Sequence, residues 1–170
     1  MRLFLAIPFP DSVRNVLLDA QAQLRAQGIR ANFSRPENFH LTLFFLGETS
    51  RQRDIQRVMT SITAPAFSMT IGGIGRFGDL YWAGVDRNIA LESLVSCLRD
   101  SLRALGFAIE DRPFRPHITL ARQVDAVRPL ELNIPKISMA VDRILLMKSE
   151  RINGRLTYTP LFEKKLKSVP

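Results

Sequence analysis

Apolar positions recur along this chain with two different periods, and the switches between them mark out its elements. Residues 3–7 form an unbroken apolar run closed by Pro8 and Pro10, which predicts a short strand buried on both faces. The period then becomes helical. Val13, Val16, Leu17, Ala20 and Leu24 share one face, Asp11 or Ser12 can cap the first turn, and Gly28 supplies a left-handed end. Residues 29–33 are a second strand candidate, and 36–38 form a turn into a strand that starts at His40 and ends at Gly47. Thr49 and Gln52 have capping-box spacing ahead of Ile55, Val58, Met59 and Ile62, a second amphipathic helix. Phe67, Met69 and Ile71 then alternate with Ser68 and Thr70 as a half-exposed strand does. The glycine-rich stretch 72–78 lacks the Gly-Lys-Ser/Thr ending of a phosphate loop and is expected to be a turn or hairpin. Residues 80–85 predict a strand with Trp82 packed on the sheet. Asn88 caps a third helix whose stripe is Leu91, Leu94, Val95, Leu98, Leu102 and Leu105, with Cys97 on its apolar side and Gly106 at its end. Strand resumes after that helix: residues 107–109 precede a polar turn at 110–113, and Pro116 admits the chain to a strand starting at His117. Further strand candidates lie at 137–139, 144–148 and 155–158.

One pattern occurs twice. His40-Leu41-Thr42-Leu43 returns as His117-Ile118-Thr119-Leu120, and these are the only two histidines in the chain. Side chains two apart on a strand share a face, so His40 pairs with Thr42 and His117 with Thr119, while the leucines and Ile118 face the core. A single such histidine reads as a buried, hydrogen-bonded strand residue. Two in matched settings point to one site shared by two half-domains. Strands interleaved with three helices, no linker, and a duplicated strand motif predict an α+β fold: one bilobal domain spanning 1–170, its two similar lobes flanking a central cleft.

An imidazole titrates near neutral pH, so one histidine can accept a proton while the other donates one. That pairing suits an in-line displacement at phosphorus, with threonine hydroxyls donating to the non-bridging oxygens as charge develops. The residues alone leave open which histidine is acid and which is base. A metal centre is disfavoured, because no patterned Asp, Glu or Cys completes a ligand set beside the two histidines, and no Gly-x-Ser-x-Gly elbow marks a serine nucleophile.

Composition narrows the picture further. The 170 residues suffice for a real hydrophobic core, and a single cysteine excludes a disulfide within the chain and fits a reducing cytosol. The apolar run at the start is too short for a signal peptide, and no stretch reaches transmembrane length. A formal net charge of +8 favours polyanionic partners, although Lys164, Lys165 and Lys167 also read as a solvated basic tail.

Residues 35–48 and 114–122 resemble the paired His-x-Thr-x signatures of the two-histidine phosphoesterase superfamily, and within it the LigT/ThpR-like RNA 2′,3′-cyclic phosphodiesterases, once named 2′-5′ RNA ligases. The likeness also takes in the opening residues 2–7 and the closing Tyr158-Thr159-Pro160-Leu161. It implies two lobes of mainly antiparallel sheet, and opening of an RNA terminal 2′,3′-cyclic phosphate to a 2′-phosphomonoester without metal or cofactor. It further implies His40 as proton donor, His117 as proton acceptor, and Thr42, Thr119 and Arg122 as phosphate-binding residues. Arg122 would face away from His117 on an unbroken strand and reaches the phosphate only through a strand end or bulge near Ala121. Phe44 shares the predicted face of His40 and Thr42 and is a candidate base contact, with Phe9 and Arg115 as weaker candidates. The expected partner is RNA with a 2′,3′-cyclic phosphate end, tRNA fragments included, for a cytoplasmic monomer with no membrane or obligatory protein partner. The alternatives are reversible 2′-5′ RNA ligation, hydrolysis of another small cyclic phosphate, or a non-catalytic module that binds RNA ends.

Overall fold

The computed structural model describes residues 1–168 and contains nine strands and three helices among them. In chain order they are β1 (Arg2–Pro8), α1 (Asp11–Ala26), β2 (Arg30–Phe33), β3 (His40–Glu48), α2 (Gln52–Ser61), β4 (Phe67–Phe77), β5 (Leu80–Val85), α3 (Ile89–Ala104), β6 (His117–Asp125), β7 (Ile137–Val141), β8 (Arg143–Ile152) and β9 (Arg155–Lys165). A single turn of 3-10 helix, Pro36–Asn38, leads into β3.

The strands form two antiparallel sheets, ordered β3-β1-β8-β9 and β2-β6-β5-β4-β7. The lobes are therefore not the two halves of the sequence. The first sheet joins β1 and β3 to the late strands β8 and β9, and the second takes β2 with β4 to β7. In β1, five consecutive buried residues sit between β3 and β8, as the unbroken apolar run requires.

The predicted helices are present, with local differences. Pro10 rather than Asp11 or Ser12 occupies the N-cap of α1, which places Asp11 in the first turn where a carboxylate favours the helix dipole. The Thr49 hydroxyl accepts from the Arg51 amide, so the capping box with Gln52 does not form. Asn88 caps α3 as expected, accepting from the Leu91 amide at 3.0 Å. Cys97 is exposed, one step off the Leu91, Leu94, Val95, Leu98 stripe.

Of the turn or hairpin expected at 72–78, the structure has the hairpin: residues 72–77 are strand paired with β5, and the reversal comes at Gly78. Within the strand, glycine at position 75 is needed for space: a Cβ there would lie 2.1 Å from the Trp82 indole, which packs across that position from β5. Residues 107–109 form no strand, and the three C-terminal strands run on past their predicted ends, to Val141, Ile152 and Lys165.

Candidate active site

β3 belongs to one sheet and β6 to the other, and their facing sides wall a cleft of about 1520 Å³. His40, Thr42, His117 and Thr119 all line it. The two-residue periodicity of a strand puts each His-Thr pair on one side, as the sequence predicted.

Each imidazole is held in the same way. His40 Nδ1 lies 2.6 Å from the carbonyl oxygen of Asn38, and His117 Nδ1 lies 2.8 Å from that of Arg115. A carbonyl only accepts, so each Nδ1 carries a hydrogen and each Nε2 is left as the exchangeable nitrogen. The turn under His40 is itself tied down: the Asn38 side-chain amide donates to the Leu156 carbonyl at 3.0 Å and Arg14 to the Pro36 carbonyl at 2.8 Å.

Aromatic rings flank both histidines. The Tyr158 ring meets His40 edge-on at 5.0 Å and Phe4 packs beside it at 4.9 Å. Phe77 meets His117 edge-on at 5.1 Å, with Trp82 at 6.1 Å. The two settings differ in one bond. His40 Nε2 lies 2.8 Å from the Thr42 hydroxyl. Burial pushes the pKa of His40 below its ordinary value, an effect partly opposed by the Asn38 carbonyl, so the free protein favours neutral His40.

A bulge at the same point in both strands decides what lies beyond each threonine. Thr42 pairs with Ala6 and Phe44 with Leu5, which leaves Leu43 as an extra residue. Thr119 pairs with Trp82 and Ala121 with Tyr81, which leaves Leu120 extra. Each strand consequently buries two residues in succession and returns the next one to the outer face.

In β6 this bulge brings Arg122 round to the cleft, at the place where the sequence reading required one. The Arg122 charge is felt at the Tyr158 hydroxyl: burial raises that phenol's pKa, and Arg122 and then Arg2 oppose the rise, so Tyr158 stays a hydroxyl donor. In β3 both Phe45 and Phe44 line the cleft, but the bulge leaves little of the Phe44 ring open to it. That ring is 8% exposed and packs in the core beside Leu5, whereas Phe45, 69% exposed, lies 6.0 Å from Phe4 on the face of His40. Phe9 is likewise a core residue, while Arg115 lines the cleft.

Charge is concentrated around this site. Seven arginines line the cleft, against a single carboxylate, Glu110, among the described residues. Arg35 pairs with Glu37 and Arg112 with Glu110, whereas Arg99, Arg115, Arg122, Arg151 and Arg155 have no carboxylate partner among the described residues. No group of three or more His, Cys, Asp or Glu side chains among the described residues is arranged to hold a metal ion. The arrangement is thus two oriented imidazoles, two hydroxyl donors and a ring of guanidinium groups around one opening, which suits proton transfer at a bound anion. Tyr158, Phe45, Phe4, Phe77 and Trp82 were not identified as site residues from sequence. The duplicated register could have signalled Phe45, because it stands where Arg122 stands in the second copy.

The model of the 2′-5′ RNA ligase superfamily matches residues 9–153. Curated relatives named RNA 2′,3′-cyclic phosphodiesterase include one from Thermotoga maritima, 33% identical over 96% of this chain and 94% of the relative. Another, from Escherichia coli K12, is 33% identical over 94% of this chain and 93% of the relative. Among solved structures, E. coli LigT complexed with 3′-AMP superposes with a TM-score of 0.85 at 30% identity, covering 97% of each chain. A Thermus thermophilus protein, TT0787, superposes with a TM-score of 0.87 at 27% identity over 99% of each chain. With the fold, the paired strands and these likenesses in agreement, the chain belongs to the 2′-5′ RNA ligase superfamily of two-histidine phosphoesterases.

Proposed function

We propose that this protein hydrolyses the terminal 2′,3′-cyclic phosphate of RNA to a 2′-phosphomonoester. The observation that carries the reading is the matched pair of imidazoles, each with Nδ1 committed to a backbone carbonyl and both lining one arginine-rich cleft. The curated relatives bear the name of that activity over nearly their whole length.

In the reaction, His117 Nε2 takes a proton from water as the water oxygen bonds to phosphorus. The bond from phosphorus to the 3′ oxygen breaks, and His40 Nε2–H protonates that oxygen, leaving the phosphate on the 2′ oxygen. Thr42 and Thr119 donate to the non-bridging oxygens, and Arg122 balances their charge. Neutral His40 in the free protein does not oppose its role as acid, because the substrate's negative charge beside Nε2 favours the imidazolium once bound. On this reading the whole of 1–170 serves as one bilobal catalytic unit. It acts as a cytoplasmic monomer on RNA ends such as those of tRNA fragments, without metal or cofactor. No helix among the described residues is long and apolar enough to cross a membrane.

The test is an RNA oligonucleotide ending in a 2′,3′-cyclic phosphate, incubated in EDTA with the wild type, His40→Ala and His117→Ala, with the product isomer identified. A 2′-phosphate formed by the wild type, with turnover lowered about 10²–10⁴-fold in each variant, is expected. A 3′-phosphate product, or a variant that keeps full activity, would overturn the mechanism.

A further inference from the structure

Resting on the reading of the cleft as an RNA-end site, we propose that Arg99 and the 109–115 loop form a second phosphate site. It takes the phosphodiester one nucleotide upstream of the cyclic end. Arg99 is the one residue of α3 that lines the cleft, at the edge of a helix whose leucines face the core. Its guanidinium lies over the Phe44 ring at 6.0 Å, and its Nε–H is buried with no hydrogen-bond partner among the described residues. Arg99 makes no side-chain hydrogen bond or ion pair to the described residues, so the part of its guanidinium that lines the cleft is open to an acceptor from outside the chain.

The neighbouring loop supplies the rest of the site. One helical turn beyond Arg99, Arg103 donates to the Ile109 carbonyl at 3.2 Å and to Asp111 at 3.4 Å, which ties the loop to the same side of α3. The loop then carries into the cleft wall Arg115, which has no carboxylate partner among the described residues, and Arg112, whose charge is shared with Glu110. Arg99 and Arg115 line the same opening without carboxylate partners, and guanidinium groups suit the oxygens of a phosphate, which they can grip in bidentate fashion.

The terminal phosphate is already served by Thr42, Thr119, Arg122 and an imidazolium. A cyclic phosphate brings one negative charge, whereas a strand brings another at each nucleotide, and the surplus arginines match the strand. The cleft thereby selects a polynucleotide end over a free nucleoside cyclic phosphate.

Arg99→Met, which keeps the apolar stem over Phe44, and Arg99→Lys test the assignment. The substrates are a nucleoside 2′,3′-cyclic phosphate, which has no upstream phosphate, and a dinucleotide with the same cyclic end. For Arg99→Met, the loss in kcat/KM is expected to be at least about tenfold greater on the dinucleotide, with Arg99→Lys in between. For a longer oligonucleotide, the slope of log affinity against log salt is expected to flatten by about 0.7, the loss of one phosphate contact to a single strand. Equal losses on the two substrates, or no loss on either, would overturn the second site. Failure of the wild type to open either substrate would remove the RNA-end reading itself, and the site with it.

Discussion

Gln21 is the most deeply buried polar side chain of the described chain, 1% exposed on the inner face of α1. Its Nε2 donates to the Ser34 carbonyl at 2.7 Å and to the Leu120 carbonyl at 3.0 Å. Leu120 is the residue that the β6 bulge leaves out of register with β5, and Gln21 is a second donor to its carbonyl, which also accepts from the Ser34 amide at 3.0 Å. Gln21→Leu keeps the volume and removes both donors. Two lost hydrogen bonds at about 0.5–1.5 kcal/mol each give roughly 1–3 kcal/mol of destabilisation. For a chain of this size a loss of about 2 kcal/mol lowers Tm by about 4–8 °C. The effect should extend to catalysis, because restoring regular alternation in β6 turns Arg122 away from the cleft. Scanning calorimetry gives the stability term, and kcat/KM on a cyclic-phosphate RNA at about 25 °C, where the variant stays folded, gives the other. If Gln21 acts through the bulge, its kinetic loss and that of Arg122→Ala overlap in the double variant. Full additivity of the two, or a Tm within about 1 °C of wild type, would refute the reasoning.

Further outcomes are expected at the histidine and the aromatic positions. Burial lowers the His40 pKa, so the folded chain binds fewer protons than the unfolded one between that lowered value and the ordinary value of about 6.5. Stability should therefore fall as pH drops through this window, and His40→Gln should flatten the fall in denaturant titrations. With His40 as acid, kcat/KM should decline as pH rises through the lowered pKa of the free protein, while kcat, which reports the complex, declines at higher pH; coincident alkaline limbs would contradict the assignment. Phe45→Ala should weaken RNA binding, read through KM, by about 1–3 kcal/mol of lost stacking and leave Tm nearly unchanged, whereas Phe44→Ala should lower Tm through a cavity; the reverse pattern in paired melting and kinetic measurements would return the base contact to Phe44.

Much of this molecule could be read from local chemistry. The stripes of α1 and α3, the Asn88 cap and the two His-Thr faces depend on residues close together in sequence, and periodicity reports them directly. The deep burial of Phe44 has a definite cause. Strict alternation carries its ring to the side of His40, but a bulge at Leu43 inverts the count, and bulges are set by the partner strand and its supports rather than by the bulged residue. The same kind of insertion was foreseen for Arg122 only because its expected role clashed with its parity. Glycines 72, 73 and 75 belong to the arm of the expected hairpin rather than to its turn, and for Gly72 and Gly75 the reason lies across the sheet, in Lys136 and the Trp82 ring. Tyr158 escaped notice as a site residue because β9 reaches His40 only through β8 and β1.

That last arrangement bears on how the protein comes to exist during synthesis. Arg2 pairs with Ser149, so β1 waits beside β3 for a neighbour made well after it, while β4, β5 and β6 can close their ladder beforehand. A ribosome thus releases the His117 wall before the His40 wall is whole. Chains arrested short of Arg143 should lack turnover even with both histidines already synthesised.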